Sequence, residues 1–303
     1  MKLLVTGGTG FIGEPLSQAL AERNHTVTIV TRTRFQTTAA LHKNKTLVTW
    51  DENGGNAWKK ALQDSEAVIN LAGESIAERR WTAEQKLKIR NSRIETTRAL
   101  INAMEALHAR PKVFISASAV GYYGACGDEP LTESAQAGTG FLAEVCKLWE
   151  KEASEAETFV ERTLRLRFGM VLGKDGGALD KMVPPFKMYL GGALGHGRQW
   201  VPWIHMADVI GLILFLLEQP RTIGPVNITA PNPERMRDFC AGLGRVLRRP
   251  SWAPMPAPVL RLMLGEMADM LLTGQRVIPE VAQKLGYKFK YPTLSEALTD
   301  CLA

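Results

Sequence analysis

The chain opens on a short apolar run, Leu3-Leu4-Val5, followed by three glycines, Gly7, Gly10 and Gly13, at three-residue spacing. Phe11, Ile12, Leu16, Ala19 and Leu20 then recur at helical spacing. Strand, glycine turn and helix therefore follow one another within about 20 residues. Each glycine has a separate reason to be there. Gly7 suits a tight turn with positive φ, Gly10 lets a ligand approach the backbone, and Gly13 lets the helix pack closely on the strand. The unpaired N–H groups and the dipole of the new helix then face a bound phosphate. This is a cradle for the pyrophosphate of a dinucleotide.

The same alternation continues along the chain. Strands are expected at Leu3–Thr6, Thr26–Thr31, Leu47–Trp50, Ala67–Leu71, Val113–Ser116 and Leu164–Phe168. Helices are expected at Gly13–Glu22, near Trp58–Leu62, through Ile89–Leu107 and through Phe141–Ala156. Thr82 and Gln85 have the spacing of a capping box ahead of the long helix. Alternating strands and helices imply a parallel sheet covered on both faces, and right-handed crossovers make it doubly wound. The expected fold is α/β, a doubly wound parallel Rossmann sheet with a smaller C-terminal α/β lobe. The sheet domain should span 1–230, with substrate-facing loops at about 170–205, where glycines crowd around Pro184 and Pro185. The lobe, 231–303, should hold a Met-rich helix over Val259–Leu272, a strand-like stretch over Tyr287–Tyr291 and a short helix from Ser295.

Composition narrows the partners. The cysteines, Cys126, Cys146, Cys240 and Cys301, are scattered without ligand spacing, so no metal site is expected. The net charge of +6 rests on small arginine groups, with no long basic run or aromatic platform, which argues against nucleic acid. No apolar run reaches the ~18 residues of a spanning helix, and no secretory signal opens the chain. A cytoplasmic protein with a small-molecule ligand and no membrane contact is the expectation.

The second strand selects the dinucleotide. An NAD site places a carboxylate near its end to accept from the ribose 2′-OH. Here the strand ends Val30-Thr31-Arg32, with Arg34 close behind and no acidic residue. A guanidinium pairs with a 2′-phosphate that a carboxylate would repel, so NADP (NADPH) is the expected cofactor. The alternative is that Arg32 is an ordinary surface residue. The fourth strand ends Asn70-Leu71-Ala72-Gly73, where small residues let a cofactor approach the backbone.

TGGTGFIG, NLAG, SASAVGYYG at Ser116–Gly124, LRFGMVLG at Leu166–Gly173 and WIHMADV at Trp203–Val209 occur in the order and spacing of the extended short-chain dehydrogenase/reductases. Over about 230 residues the chain resembles that family. GRQWVPWIH, LLTGQRVIP and YPTLSEAL further resemble its YfcH-type "epimerase family" branch, which carries a C-terminal domain of unknown function. The resemblance implies an oxidoreductase or epimerase using a nicotinamide cofactor. It implies that Ser118 orients the substrate oxygen, and that Arg93 on the long helix reaches the cofactor; a solvated helix residue is the alternative for Arg93. The cofactor-side set is then Gly7, Thr9, Gly10, Phe11, Ile12, Gly13, Thr31, Arg32, Leu71, Ala72, Gly73, Glu74, Arg93, Ser116, Ala117, Arg167 and Phe168.

One part of the family pattern is missing. These enzymes use a Tyr with a Lys four residues later, the Lys lowering the tyrosine pKa. No Tyr-x-x-x-Lys occurs among the five tyrosines of this chain. Aligned by Glu150, Leu142 and Cys146 take the two places, and Lys147 lies about 100° around the helix. Two readings follow. In one, Tyr122 or Tyr123 beside Ser118 supplies the acid/base, with His205, Glu74 and Lys147 as weaker substitutes. In the other, the chain binds NADPH as a sensor or regulatory protein without turnover. A sugar-nucleotide substrate is an analogy from the superfamily alone. The expected cleft is lined by Ser118, Tyr122 or Tyr123, and Trp203, under a roof of the Gly191–Gly197 loop, Arg198, Trp200 and the lobe after Arg248; Gln275 and Arg276 either face an anionic substrate there or close an ordinary helix C-terminus. A homodimer, where formed, should pair the two helices Ile89–Leu107 and Phe141–Ala156, as extended relatives commonly do.

Overall fold

A computed structural model describes residues 1–32, 42–50, 56–174 and 176–303. Arg34 lies outside the described residues. The central sheet is parallel and doubly wound. It comprises β1 (Lys2–Thr6), β2 (Thr26–Thr31), β3 (Lys45–Thr49), β4 (Ala67–Asn70), β5 (Val113–Ala119), β7 (Arg162–Phe168) and β11 (Gly224–Ile228), and β6 (Pro130–Leu131) lies outside it. Their order is β11-β7-β5-β4-β1-β2-β3, so the chain reverses its direction of travel between β1 and β4. Ligands bind beyond the carboxyl ends of strands at such a crevice.

The strands sit where their side chains dictate. Leu3, Leu4 and Val5 alternate between two cores, Leu3 and Val5 packing with Ile69 and Ile115, and Leu4 with Val68 and Phe114 on the other face. Near-continuous apolar runs of this kind are what a sheet covered on both faces requires. On one face lie α1 (Gly13–Glu22) and α6 (Met206–Glu218); on the other lie α2 (Ala57–Gln63), α3 (Ala83–Glu105) and α4 (Phe141–Ser154). Thr82 accepts from the Gln85 amide and starts α3, as its spacing predicts. Such a cap is worth about 1 kcal/mol.

The C-terminal part differs more from its sequence expectation. Leu179–Lys187 forms a helix, α5, in the glycine-rich stretch read as loop; Pro184 and Pro185 lie within it. Three short strands, β8 (Met170–Leu172), β9 (Trp200–Val201) and β10 (Trp203–His205), flank it. Beyond β11 come β12 (Glu234–Arg235) and α7 (Met236–Leu247). The expected single helix over 259–272 is broken into α8 (Ala257–Leu264), a 3₁₀ turn (Gly265–Ala268) and α9 (Asp269–Leu272). The break falls at Gly265, whose φ of +63° ends α8 in the left-handed region. After β13 (Arg276–Val277), α10 (Glu280–Lys284) and α11 (Leu294–Leu302) close the chain. Tyr287–Tyr291 is not a strand. Two of its amides go instead to the fully buried Asp208 carboxylate, from Lys290 at 2.7 Å and Tyr291 at 2.9 Å, and the Tyr287 amide goes to Ala282 O. No helix among the described residues is long and apolar enough to cross a membrane.

Candidate functional site

At the carboxyl end of β1 the backbone itself shapes the site. Gly7 has φ of +68°, and a Cβ there would lie 2.7 Å from the Leu71 carbonyl carbon and oxygen. The turn after β1 and the end of β4 therefore touch through bare backbone. A Cβ on Gly13 would lie 2.1 Å from the Gly7 carbonyl oxygen, which fixes the close entry of α1. Thr9 and Gly10 are exposed, Ile12 packs on the core, and the Phe11 ring lies against Gly173, Gly176 and Gly177. Beside the turn opens a cavity of about 540 Å³, lined by Thr9, Gly10, Phe11 and Lys174 among others.

Arg32 stands at the end of β2 after the half-buried Thr31, with its side chain 79% exposed and 4.0 Å from the Glu74 carboxylate. The Leu71-Ala72-Gly73 stretch is held from below: the Leu71 amide donates to Thr6 O and the Ala72 amide to Asn70 Oδ1. Gly73 leaves room for Arg93, whose guanidinium would lie 3.1 Å from a Cβ there. Arg93 donates to the carbonyls of Glu74 and Ile89, and burial pulls its pKa down. It is a half-buried brace under the β4 loop, not a freely solvated helix residue.

The carboxyl ends of β5 and β7 are built differently. Ser118 Oγ donates to Glu150 Oε1 at 2.7 Å. Arg167 clamps the same carboxylate with Nε and Nη2, both at 2.8 Å. Its Nη1 donates to Tyr123 OH at 2.9 Å, and Tyr123 OH donates to Asn227 Oδ1 at 2.7 Å. Ser118, Tyr123, Glu150 and Arg167 are all buried. Such a pair is tolerable in a low dielectric only because its lone pairs and protons are taken up. Burial pushes the Tyr123 hydroxyl up to about 12, despite the opposing pull of Arg167. Tyr122 is the more open of the two tyrosines, with its ring 3.6 Å from the Arg167 guanidinium. Ser116 and Ala117 are buried inside β5, and Phe168 is partly buried against the main core.

The α4 stripe 142, 146, 150 faces this network. Leu142 and Cys146 approach Gly121, at 3.2 and 3.8 Å from where its Cβ would stand. Burial, then the Glu150 charge, pushes the Cys146 thiol up to about 11. Lys147 points away, exposed and paired with Glu144. From sequence alone Glu150 serves only as an alignment mark. Its place two turns beyond Leu142 on one face was the available signal, since a carboxylate there needs a buried cation. Asn227 and Glu133, which accepts from the Asn227 amide at 3.0 Å, had no sequence signal because they come from distant loops and strands.

The structure brings Ser118, Tyr122, Tyr123 and Arg167 together but separates Trp203 from them. Trp203 is fully buried among Phe186, Met236 and Phe239, and its indole N–H is taken by Asn232 O. It lines no cleft, because an indole flanked by apolar side chains gains more from burial than from exposure. His205 lines the cavity beside the Gly7–Gly13 turn, and its ring is held in place: Nδ1 accepts from the Ala207 amide and caps α6, and the ring packs 3.9 Å from Tyr291. Among the described residues no cluster of His, Cys, Asp or Glu could hold a metal ion.

Comparison with known proteins gives a consistent set of likenesses. The model of the NAD dependent epimerase/dehydratase family matches residues 3–229, and a domain of unknown function, DUF1731, matches 255–301. The epimerase family protein SDR39U1 homolog, chloroplastic, of Arabidopsis thaliana is 43% identical over 98% of this chain and 86% of that relative. The epimerase family protein YfhF of Bacillus subtilis is 40% identical over all of this chain and 98% of that relative. A crystal structure of human epimerase family protein SDR39U1 with NADPH superposes with a TM-score of 0.86 at 32% identity, covering 99% of both chains.

Proposed function

Since the chain belongs to the NAD dependent epimerase/dehydratase family, with a DUF1731 domain behind it, we propose that it binds NADPH and acts on a small carbonyl or hydroxyl compound as an atypical oxidoreductase or epimerase. One observation carries the cofactor part. The end of β2 offers an exposed guanidinium, Arg32, and no carboxylate of its own. The human relative crystallised with NADPH supports the same choice. The Gly7–Gly13 turn would receive the pyrophosphate through backbone N–H groups. Thr9, Gly10, Phe11 and Ile12 line it, Thr31 and Arg32 would hold the adenosine phosphate, and Leu71, Ala72, Gly73 and Glu74 would border the ribose, with Arg93 bracing them. Ser116, Ala117 and Phe168 would form the floor at the nicotinamide end. When bound, the cofactor supplies a hydride.

The chain's own part is to bind, orient and manage one proton. Ser118 keeps lone pairs to meet a substrate hydroxyl, and the Arg167–Glu150 pair fixes the direction of its own proton. Arg167 is thus a positioning residue. Tyr122, half-buried and beside that pair, is the hydroxyl we assign to the substrate; Tyr123 stays with Asn227. A second reading, a non-catalytic NADPH-binding regulator, is favoured by one observation: the hydroxyls of Ser118 and Tyr123 are already bonded inside the protein. NADPH consumption across a panel of aldehydes, ketones and sugar nucleotides separates the two. Turnover that falls in Tyr122→Phe supports the enzyme; no turnover with any substrate, alongside tight NADPH binding, supports the regulator.

A further inference from the structure

The loop that leaves β5 carries a second polar cluster, apart from the Ser118–Arg167 network. Asp128 Oδ1 accepts from Trp200 Nε1 at 2.9 Å and from Arg235 Nη2 at 2.7 Å. The Arg235 guanidinium lies 4.0 Å from the centre of the Trp200 ring, and that of Arg276 lies 5.1 Å from it. Arg276 Nη1 donates to the Asp128 carbonyl at 3.3 Å, and Arg235 Nη1 donates to the Arg198 carbonyl. The Trp200 N–H and Arg235 hold the Asp128 carboxyl below its usual range, so it is ionised. Two arginines from separate segments thus meet at Asp128, Arg235 at its carboxylate and Arg276 at its backbone carbonyl, leaving an excess of positive charge. An isolated surface arginine would extend into water. Stacking on an indole and hydrogen bonds to Asp128 instead hold these two forks in one place.

The cluster is tied to the carboxyl end of β5. The Cys126 amide donates to Gly274 O at 3.1 Å, and Gln275 Nε2 donates to Gly124 O at 2.6 Å. Gly274 has no room for a side chain, because a Cβ would lie 2.1 Å from Trp200 O. The segments carrying Trp200 and Arg276 are therefore pressed onto the turn that follows Ser118 and Tyr122. Arg276 commits a single nitrogen among the described residues, which leaves donors for a ligand.

We propose that Arg276 and Arg235, with Arg198 beside them, form an anion subsite that receives a phosphate or carboxylate group at the far end of the substrate. The subsite rests on the reading that a small-molecule substrate lies beyond β5 and β7, and it narrows that substrate to one with an oxyanion. Guanidinium forks match either group bidentately.

The test uses the full chain, with and without saturating NADPH, titrated calorimetrically with inorganic phosphate and, separately, with malonate. Saturable binding of either anion is expected, weakened about tenfold by Arg276→Gln, which is about 1.4 kcal/mol, and partly restored by Arg276→Lys. Lys284→Ala, at an exposed lysine of α10 that belongs to neither site, should leave it unchanged. NADPH fluorescence on each variant reports folding and the cofactor site independently. A chain that fails to bind NADPH but shows the Arg276-dependent anion keeps the subsite and loses the cofactor reading. No saturable anion binding, or equal binding in Arg276→Gln and the unmutated chain, overturns the subsite.

Discussion

Around β1 and β2 the described residues present the bare backbone of the Gly7–Gly13 turn and the exposed Arg32 guanidinium, whereas around β5 and β7 Ser118, Tyr123, Glu150 and Arg167 are buried and bonded to one another. The first end leaves its turn open to solvent at Thr9 and Gly10. The second has met its own electrostatic needs internally. Side chains that make binding possible and side chains that hold the sheet end together therefore occupy different halves of one crevice, and substitutions should separate them.

The largest effect is expected at the sealed end. Glu150→Ala leaves the Arg167 charge buried without its partner and should cost about 3–5 kcal/mol of stability, read from urea unfolding. NADPH affinity at a temperature where the variant is folded should change little. A loss of affinity without a loss of stability would reverse the assignment of the two ends. At the open end, Gly7→Ala forces a side chain into a left-handed turn and onto the Leu71 carbonyl, straining the backbone by on the order of 1–3 kcal/mol. Here NADPH binding should fall at least tenfold, measured by fluorescence titration. Equal binding in the two proteins would break the comparison from the other side.

Tyr123→Phe comes next. It strips a donor from Asn227 Oδ1 and an acceptor from Arg167 Nη1, a loss of about 1–3 kcal/mol in unfolding. Activity found with any substrate should survive this change and not survive Tyr122→Phe.

The smallest effect is a pH dependence. Burial, the largest influence, lowers the His205 pKa below 6.5, against the opposing pull of Asp300 and Asp208. The unfolded chain then binds a proton at a higher pH than the folded one. The stabilisation from neutral His205 is fully present above 6.5 and is lost as pH falls through the lower, folded value. Tyr291 and Lys290 also face the ring and Asp300, so the slope belongs to this group together. His205→Asn, which keeps a cap acceptor for α6, should flatten the fall in stability below pH 6.5. An unchanged slope would assign it to another group.

The sequence made the open end legible because its chemistry is local. Gly7 needs its φ, Arg32 needs only the end of β2, and α1 and β2 begin and end where their sequence patterns place them. The sealed end depends on partners that spacing does not connect. Ser118, Glu150, Arg167 and Asn227 lie on four elements, and only the 142, 146, 150 stripe hinted at one of them. Trp203 shows the same limit: next to a loop in sequence, it is in the core in space. Gly265 broke the expected Met-rich helix because a turn residue outweighs apolar periodicity when the backbone must reverse. The YKFKY stretch alternates like a strand, yet its Lys290 and Tyr291 amides go to Asp208, a partner 82 and 83 residues away.

The central claim is that the open end holds a 2′-phosphorylated dinucleotide through Arg32. Parallel fluorescence titrations of NADPH and NADH into the unmutated chain and into Arg32→Ala test it most directly. NADPH should bind more tightly than NADH, and Arg32→Ala should remove that preference by weakening NADPH about 10- to 100-fold while leaving NADH nearly unchanged, as the loss of about 1.5–3 kcal/mol from a charge-assisted contact requires. Equal affinities for the two cofactors in the unmutated chain, or a preference that survives Arg32→Ala, would contradict it.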